Sequence, residues 1–188
     1  MISRIVYGIW IKDAERKYHW VKDWLGSDDN LLEVGSGPGS VLEVFRNHGH
    51  QVTGLDIRNN AIHSGLNPVI YDGIRMPFED EEFDCALLLT MLHHTPDPDV
   101  IVKEAARVAR RLVIIEDVYD TPIQAAYTKI ADSVINLEFR GHPHSNRSNN
   151  EWLRSFERLG LTPRYTHIHP LLKIFQQAVY ILDKKDRK

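Results

Sequence analysis

Two hydrophobic rhythms alternate along this chain. Residues 1–25 carry Tyr18, Val21, Trp24 and Leu25 at the spacing of one helix face, which predicts an N-terminal helical segment. Gly26-Ser27-Asp28-Asp29-Asn30 breaks that rhythm. A short apolar run, Leu31-Leu32-Glu33-Val34, then reads as a buried strand, Gly35–Gly39 as a loop, and Ser40–His48 as a helix stopped by Gly49. The unit recurs. Val52–Leu55 reads as a strand ending at Asp56, Val69–Tyr71 as a third ending at Asp72, and Phe83–Leu89 as a fourth, almost wholly apolar. Asp97 as N-cap and Pro98 at the first helical position open a helix bearing Val100, Ile101, Ala105 and Val108. Leu112–Ile115 makes a fifth strand, ending at Glu116-Asp117. Continuous apolar runs separated by helices predict a parallel sheet covered on both faces.

The last third follows another pattern. Residues 118–147 are mixed, and Gly141-His142-Pro143-His144 is a poor candidate for regular structure. Ser148 with Glu151 predicts a capping box for a helix bearing Trp152, Phe156 and Leu159 and stopped by Gly160. Arg164–His169 and Ile174–Leu182 read as two strands joined by a turn at Pro170, and so short a link requires antiparallel pairing. The expected fold class is α/β: a Rossmann-like three-layer sandwich whose mostly parallel sheet has one reversed strand near its edge. No repeat or low-complexity segment divides the chain, so residues 1–188 are expected to form one domain, with a helical N-terminal segment (1–30) and an insertion on the substrate side (118–160).

Composition narrows the function classes. A net charge of −3 provides no strong field for nucleic acid or an anionic membrane. The sign-mixed tail Asp183–Lys188 reads as a solvated end. The single cysteine, Cys85, lies in an apolar run and fits a reducing compartment. No apolar stretch is long enough to span a bilayer, and the apolar N-terminus lacks a small-residue cleavage site, so a cytoplasmic protein is expected.

The chemistry concentrates in Glu33-Val34-Gly35-Ser36-Gly37-Pro38-Gly39, between a predicted strand and a predicted helix. Glycines there let a ligand approach the backbone, and Asp56, ending the next strand about 20 residues on, stands where an acid accepts hydrogen bonds from a ribose diol. The plainer alternative is a tight turn with a surface carboxylate. A dinucleotide needs its pyrophosphate cradled by backbone amides, but Pro38 removes a donor and Ser40 stands where that pattern has a third glycine or alanine. Glu33 adds negative charge, which is unhelpful to phosphate and useful to a ligand carrying an ammonium and a sulfonium. These points favour S-adenosylmethionine over NAD.

Leu31–Gly39 resembles motif I of class I S-adenosylmethionine-dependent methyltransferases, especially the broad group that includes ubiquinone and menaquinone biosynthesis methyltransferases. Leu55-Asp56, Asp72-Gly73 with Met76-Pro77-Phe78, and Phe83-Asp84 leading to Thr90-Met91-Leu92-His93-His94 are similar to that group's later motifs, in the right order. The resemblance implies a seven-stranded sheet with the last strand antiparallel. It implies that Glu33, Gly35 and Gly37 line the cofactor's methionine part, with Ser36 and Gly39 of the same loop also binding the cofactor. Asp56 and Ile57 would hold the ribose, Asp72 and Gly73 the adenine, and Thr90 and His93 would lie near the sulfonium. For Asp72 the alternative is a carboxylate that caps its own loop.

His93 and His94 are candidates for a general base, or are structural histidines. His142 and His144 have a spacing that suits one side of a strand, but no third ligand accompanies them, so no metal is expected. Glu116-Asp117 binds substrate or caps a helix. Tyr7, Trp10, Trp20 and Trp24 form a lid or pack the first helix on the core. A small-molecule methyltransferase is thus set against an NAD-dependent oxidoreductase or epimerase and a non-catalytic S-adenosylmethionine binder. A nucleic-acid acceptor is not expected: the charge is acidic, and Thr90-Met91-Leu92-His93 stands where base-amine methylation is associated with a polar residue followed by Pro-Pro-aromatic.

Overall fold

The computed structural model describes residues 4–119, 145–171 and 175–185. Helix α1 (Arg4–Val21) leads through a short 3-10 turn to β1 (Asn30–Val34), followed by α2 (Ser40–Asn47), β2 (Gln51–Asp56) and β3 (Val69–Ile70). Then come β4 (Phe83–Leu89), α3 (Pro98–Val108) and β5 (Ala109–Val118). The C-terminal part contributes α4 (Asn149–Arg158), β6 (Leu161–Leu171) and β7 (Phe175–Lys184).

The seven strands form one sheet in the order β3-β2-β1-β4-β5-β7-β6. Pairing is parallel from β3 to β5, while β7 runs antiparallel to both β5 and β6. Side-chain alternation sorts the core into two layers. Leu31, Leu87, Val113 and Ile181 meet Tyr18 and Val21 of α1 and Leu42 and Phe45 of α2. Leu32, Leu88, Ile114 and Tyr180 meet Ile101 and Val102 of α3 and Trp152 and Phe156 of α4. The result is the expected three-layer sandwich. Both expected helix starts form as well: Asp97 accepts from the Asp99 amide, and the Ser148/Glu151 capping box is complete.

The boundaries differ in informative ways. Strand β5 extends three residues beyond Leu112–Ile115 at each end, because its polar flanks pair with β7: Arg111 with Asp183, and Asp117 with Gln177. Pro170 is not a turn residue but lies within β6, opposite Gln176. Strand β6 is at the sheet edge, where a residue without an N–H is tolerated. Strand β3 is only Val69–Ile70. Asp183 and Lys184 are not a free tail but complete β7, and Lys184 Nζ meets Glu81 Oε1 at 3.0 Å. Among the described residues, no helix is long and apolar enough to cross a membrane.

Candidate active site

Adjacent strands β1 and β4 send their following helices, α2 and α3, to opposite faces of the sheet. In an open α/β sheet, the crevice at the carboxyl ends of such a strand pair is where ligands bind. The glycine loop leaves β1 at this point. Gly35 N donates to Leu55 O at 2.8 Å and Gly39 N to Ser36 O at 2.9 Å, which folds the loop back beside β2. A Cβ on Gly35 would lie 2.9 Å from the Met91 side chain, and one on Gly39 would lie 2.8 Å from Leu66, so these two glycines permit close packing. Gly37 differs: its φ is +50°, and a Cβ there would meet nothing within 4 Å. Ser36 is buried between its neighbours.

The acids at the strand ends have distinct settings. Asp56 Oδ2 accepts from Gly37 N at 2.8 Å and Oδ1 accepts from Arg58 N at 3.1 Å, so this carboxylate pins the tip of the glycine loop. Ile57 beside it is exposed, and its Cγ2 lies 3.2 Å from where a Cβ on Gly73 would stand. Asp72 Oδ1 accepts from Ile74 N and Arg75 N at 2.8 and 2.9 Å, and these amide bonds hold the exposed carboxyl below the usual carboxylate range. Glu33 is only 3% exposed, and its Oε2 has no hydrogen-bond partner. Burial, reinforced by Asp56, pushes its pKa up to about 8, against the opposing pull of Lys17 and Arg46.

The turn after β4 is tightly held. Thr90 has φ +56°, a rare conformation for a β-branched residue, and its amide donates to Ile115 O at 2.7 Å. The fully buried Glu116 of β5 holds the following residues. Its Oε1 accepts from Met91 N at 2.9 Å and Leu92 N at 2.7 Å, and its Oε2 lies 2.6 Å from His93 Nδ1. Glu116 therefore shapes the turn. His93 is 2% exposed, whereas His94, stacked obliquely on it at 4.1 Å, is only partly buried.

Sequence reasoning missed the ionic residues of α1. Lys17, buried at 4% exposure, places Nζ 2.6 Å from Thr90 Oγ1 and 2.7 Å from Asp13 Oδ2. Arg16 pairs with Asp13 and reaches Gln177 Oε1 at 3.4 Å, while Gln177 Nε2 donates to Asp117 Oδ1 at 2.9 Å. Burial raises the Asp117 pKa, with His93 and Gln177 acting in the opposite direction. Asp13 and Lys17 stand at i,i+4 spacing within a run of charged residues, and no sequence signal marks them out.

The remaining candidates divide. Tyr7 donates to Glu43 Oε2 at 2.7 Å, Trp20 stacks on His169 at 3.9 Å, and Trp24 packs on Tyr165 at 5.1 Å, so these three rings fasten α1 and the 3-10 turn after it to their neighbours. Tyr119 donates to Asn146 O at 3.3 Å. His142 and His144 lie outside the described residues. Among the described residues, no three His, Cys, Asp or Glu side chains stand together as a metal site.

Comparison with known proteins agrees with this geometry. A family described as a methyltransferase domain matches residues 32–115. A ubiquinone biosynthesis O-methyltransferase of Bordetella parapertussis is 27% identical over 178 residues, covering 83% of this chain and 73% of that protein. A phosphatidylethanolamine N-methyltransferase of Cereibacter sphaeroides is 33% identical over 93 residues, 43% of this chain and 45% of that protein. Further ubiquinone biosynthesis O-methyltransferases also match over less than half of their own length. Among solved structures, an S-adenosylmethionine-dependent methyltransferase of Methanosarcina mazei superposes with a TM-score of 0.72 at 22% identity, covering 89% of this chain and 98% of that one.

Proposed function

We propose that this chain is a class I S-adenosylmethionine-dependent methyltransferase that moves the cofactor's methyl group onto a small organic acceptor seated over the carboxyl ends of β4 and β5, a reading supported by the methyltransferase-domain match over residues 32–115. The observation that carries the reading is the Gly37 loop. It is pinned by Asp56, has a left-handed backbone, and opens into free space beside the unpartnered, buried Glu33 Oε2. A cation beside Glu33 would satisfy that oxygen, and a side chain at Gly37 would fill the space a ligand needs, so these residues fit the cofactor.

Bound there, S-adenosylmethionine supplies an electrophilic methyl carbon on a sulfonium that leaves as a neutral thioether. Around it, Glu33, Gly35 and Gly37 line the methionine part, with Ser36 and Gly39 completing the loop that binds the cofactor. Asp56 and Ile57 take the ribose. Asp72 and Gly73 flank the adenine, with the exposed Ile57 and Ile74 offering it apolar contact. Thr90 and His93 line the sulfonium side. Of the two histidines, the partly exposed His94 is better placed to take a proton from an acceptor, while His93 on Glu116 holds the turn. Alignment and exclusion of water do the rest.

The acceptor side is assigned to α1 and the 118–160 segment. The similarity to ubiquinone biosynthesis O-methyltransferases and the net charge of −3 support a small molecule rather than nucleic acid. The lone buried Cys85 fits a reducing compartment, and we assign the protein to the cytoplasm. The test is incubation with methyl-labelled S-adenosylmethionine and a metabolite extract. Label should enter a low-molecular-mass organic product. Label recovered only in protein or nucleic acid would overturn the small-molecule assignment.

A further inference from the structure

Residues 145–147 are fastened across the carboxyl ends of β4 and β5. Ser145 N donates to His93 O at 3.2 Å, and Ser145 Oγ lies 3.2 Å from Leu92 O and 2.9 Å from Thr95 O. Tyr119, directly after β5, donates to Asn146 O at 3.3 Å. Arg147 pairs with Asp99 at the start of α3, donates to Ser155 Oγ at 3.0 Å and lies over the Trp152 ring. The backbone of Asn146 and both its neighbours are thus held, yet its side-chain amide is not used. Its Oδ1 and Nδ2 are both buried, and neither has a hydrogen-bond partner. Among the described residues, no other side chain leaves two polar atoms in that state.

Such an amide gives the fold nothing. Buried polar atoms are nearly always paired, and an unpaired one loses its hydration without return. Its place offers a reason. Asn146 is tied to the turn that carries His94, over the two strand ends assigned to the methyl acceptor. An amide presents a hydrogen-bond acceptor and a donor side by side, with no net charge. A carboxylate would satisfy Nδ2 but set its other oxygen against Oδ1. An ammonium would satisfy Oδ1 and oppose Nδ2. A neutral group with a donor beside an acceptor satisfies both. We infer that Asn146 binds the methyl acceptor through its amide, at a neutral polar group of that kind: a hydroxyl next to a carbonyl, or a carboxamide. This rests on the methyltransferase reading above and adds to it a residue that selects the acceptor.

The test uses Asn146→Leu, close in size and without polar atoms, and Asn146→Ala, which cannot clash and decides the matter if the first does not fold. Three quantities are measured: the melting temperature, S-adenosylhomocysteine binding by calorimetry, and label passed from methyl-labelled S-adenosylmethionine to a metabolite extract, with the product identified by mass spectrometry. Asn146→Leu should melt no lower than the wild type, because it removes two unpaired buried groups. Both variants should bind S-adenosylhomocysteine within about twofold of the wild type and label the small-molecule product roughly ten- to a hundredfold more slowly. The precursor of that product should carry the paired donor and acceptor. Melting temperature and labelling that fall together in both variants would assign the amide to the fold. Labelling at the wild-type rate would remove it from the acceptor, and a precursor without the pair would refute the stated chemistry; each overturns the inference. A wild type that binds S-adenosylhomocysteine but labels no small molecule would instead overturn the small-molecule reading beneath it, and one that does not bind it would overturn the cofactor reading.

Discussion

At the scale of single residues, Asp56, Gly37 and Glu33 give separable tests. Asp56 both pins Gly37 and is assigned the ribose, so Asp56→Ala should weaken S-adenosylhomocysteine binding by about 1.5–3 kcal/mol. Asp56→Asn keeps an acceptor for the Gly37 amide and should lose less. Calorimetry that finds Asp56→Ala unchanged would remove the residue from the site. Gly37→Val meets no neighbour but forces a β-branched residue to φ +50°, at a cost of about 1–2 kcal/mol. A domain of ordinary stability, about 5–15 kcal/mol, survives that cost. The variant should therefore keep its circular dichroism spectrum and a cooperative melt while losing the ligand. Normal binding would reduce the loop to a turn.

Glu33 supplies the pH test. Its carboxyl titrates near 4.5 when exposed and about 8 here, because burial disfavours the charged form. A raised folded value means that its contribution to stability is intact below pH about 4.5, declines as pH rises, and is lost above about 8. Glu33→Gln stays neutral, so its melting temperature should exceed that of the wild type by a margin that widens between those limits. The same variant should bind S-adenosylhomocysteine more weakly. Parallel melting curves would mean that Glu33 is not held neutral by the fold.

At the scale of elements, the strand-loop-helix units were legible because their signals are local. Phe83–Leu89 is one apolar run, Asp97-Pro98 is a helix start, and Ser148 with Glu151 is a capping box; each formed where the pattern put it. What was not legible depends on partners distant in sequence. Arg111 lies outside the apolar run Leu112–Ile115 until β7 pairs with it, and Pro170 looks like a turn until β6 is known to be the edge strand. Lys17 and Glu116 are the same case within the site. One looks like a solvated lysine and the other like a strand-end acid, and only the packing of α1 and β5 beside the β4 turn buries them. Glu116→Ala would leave two amides and the His93 ring without their acceptor. We expect a loss on the order of 3 kcal/mol in denaturant unfolding. Glu116→Gln, which keeps one carbonyl acceptor, should lose less. Equal stability of Glu116→Ala and the wild type would mean that the turn holds itself.

At the scale of the whole molecule, the sheet order and the single reversed strand gather the chemistry at one edge. Strands β1, β2 and β4 and the loop after β3 bring the glycine loop, Asp56, Asp72 and the Thr90 turn to their carboxyl ends. Helix α1 closes the same edge from the side through Lys17, and its aromatic residues fix it there rather than leaving it free. The sequence motifs could indicate that edge because each lies at a strand end. They could not indicate the acceptor, because the segments we propose for it, α1 and residues 118–160, follow no recognisable motif. The central claim is that this edge holds S-adenosylmethionine and not a dinucleotide. Parallel calorimetric titrations with S-adenosylhomocysteine and NAD test it most directly. Saturable binding of S-adenosylhomocysteine with no heat from NAD is the predicted result; binding of NAD without S-adenosylhomocysteine would contradict it.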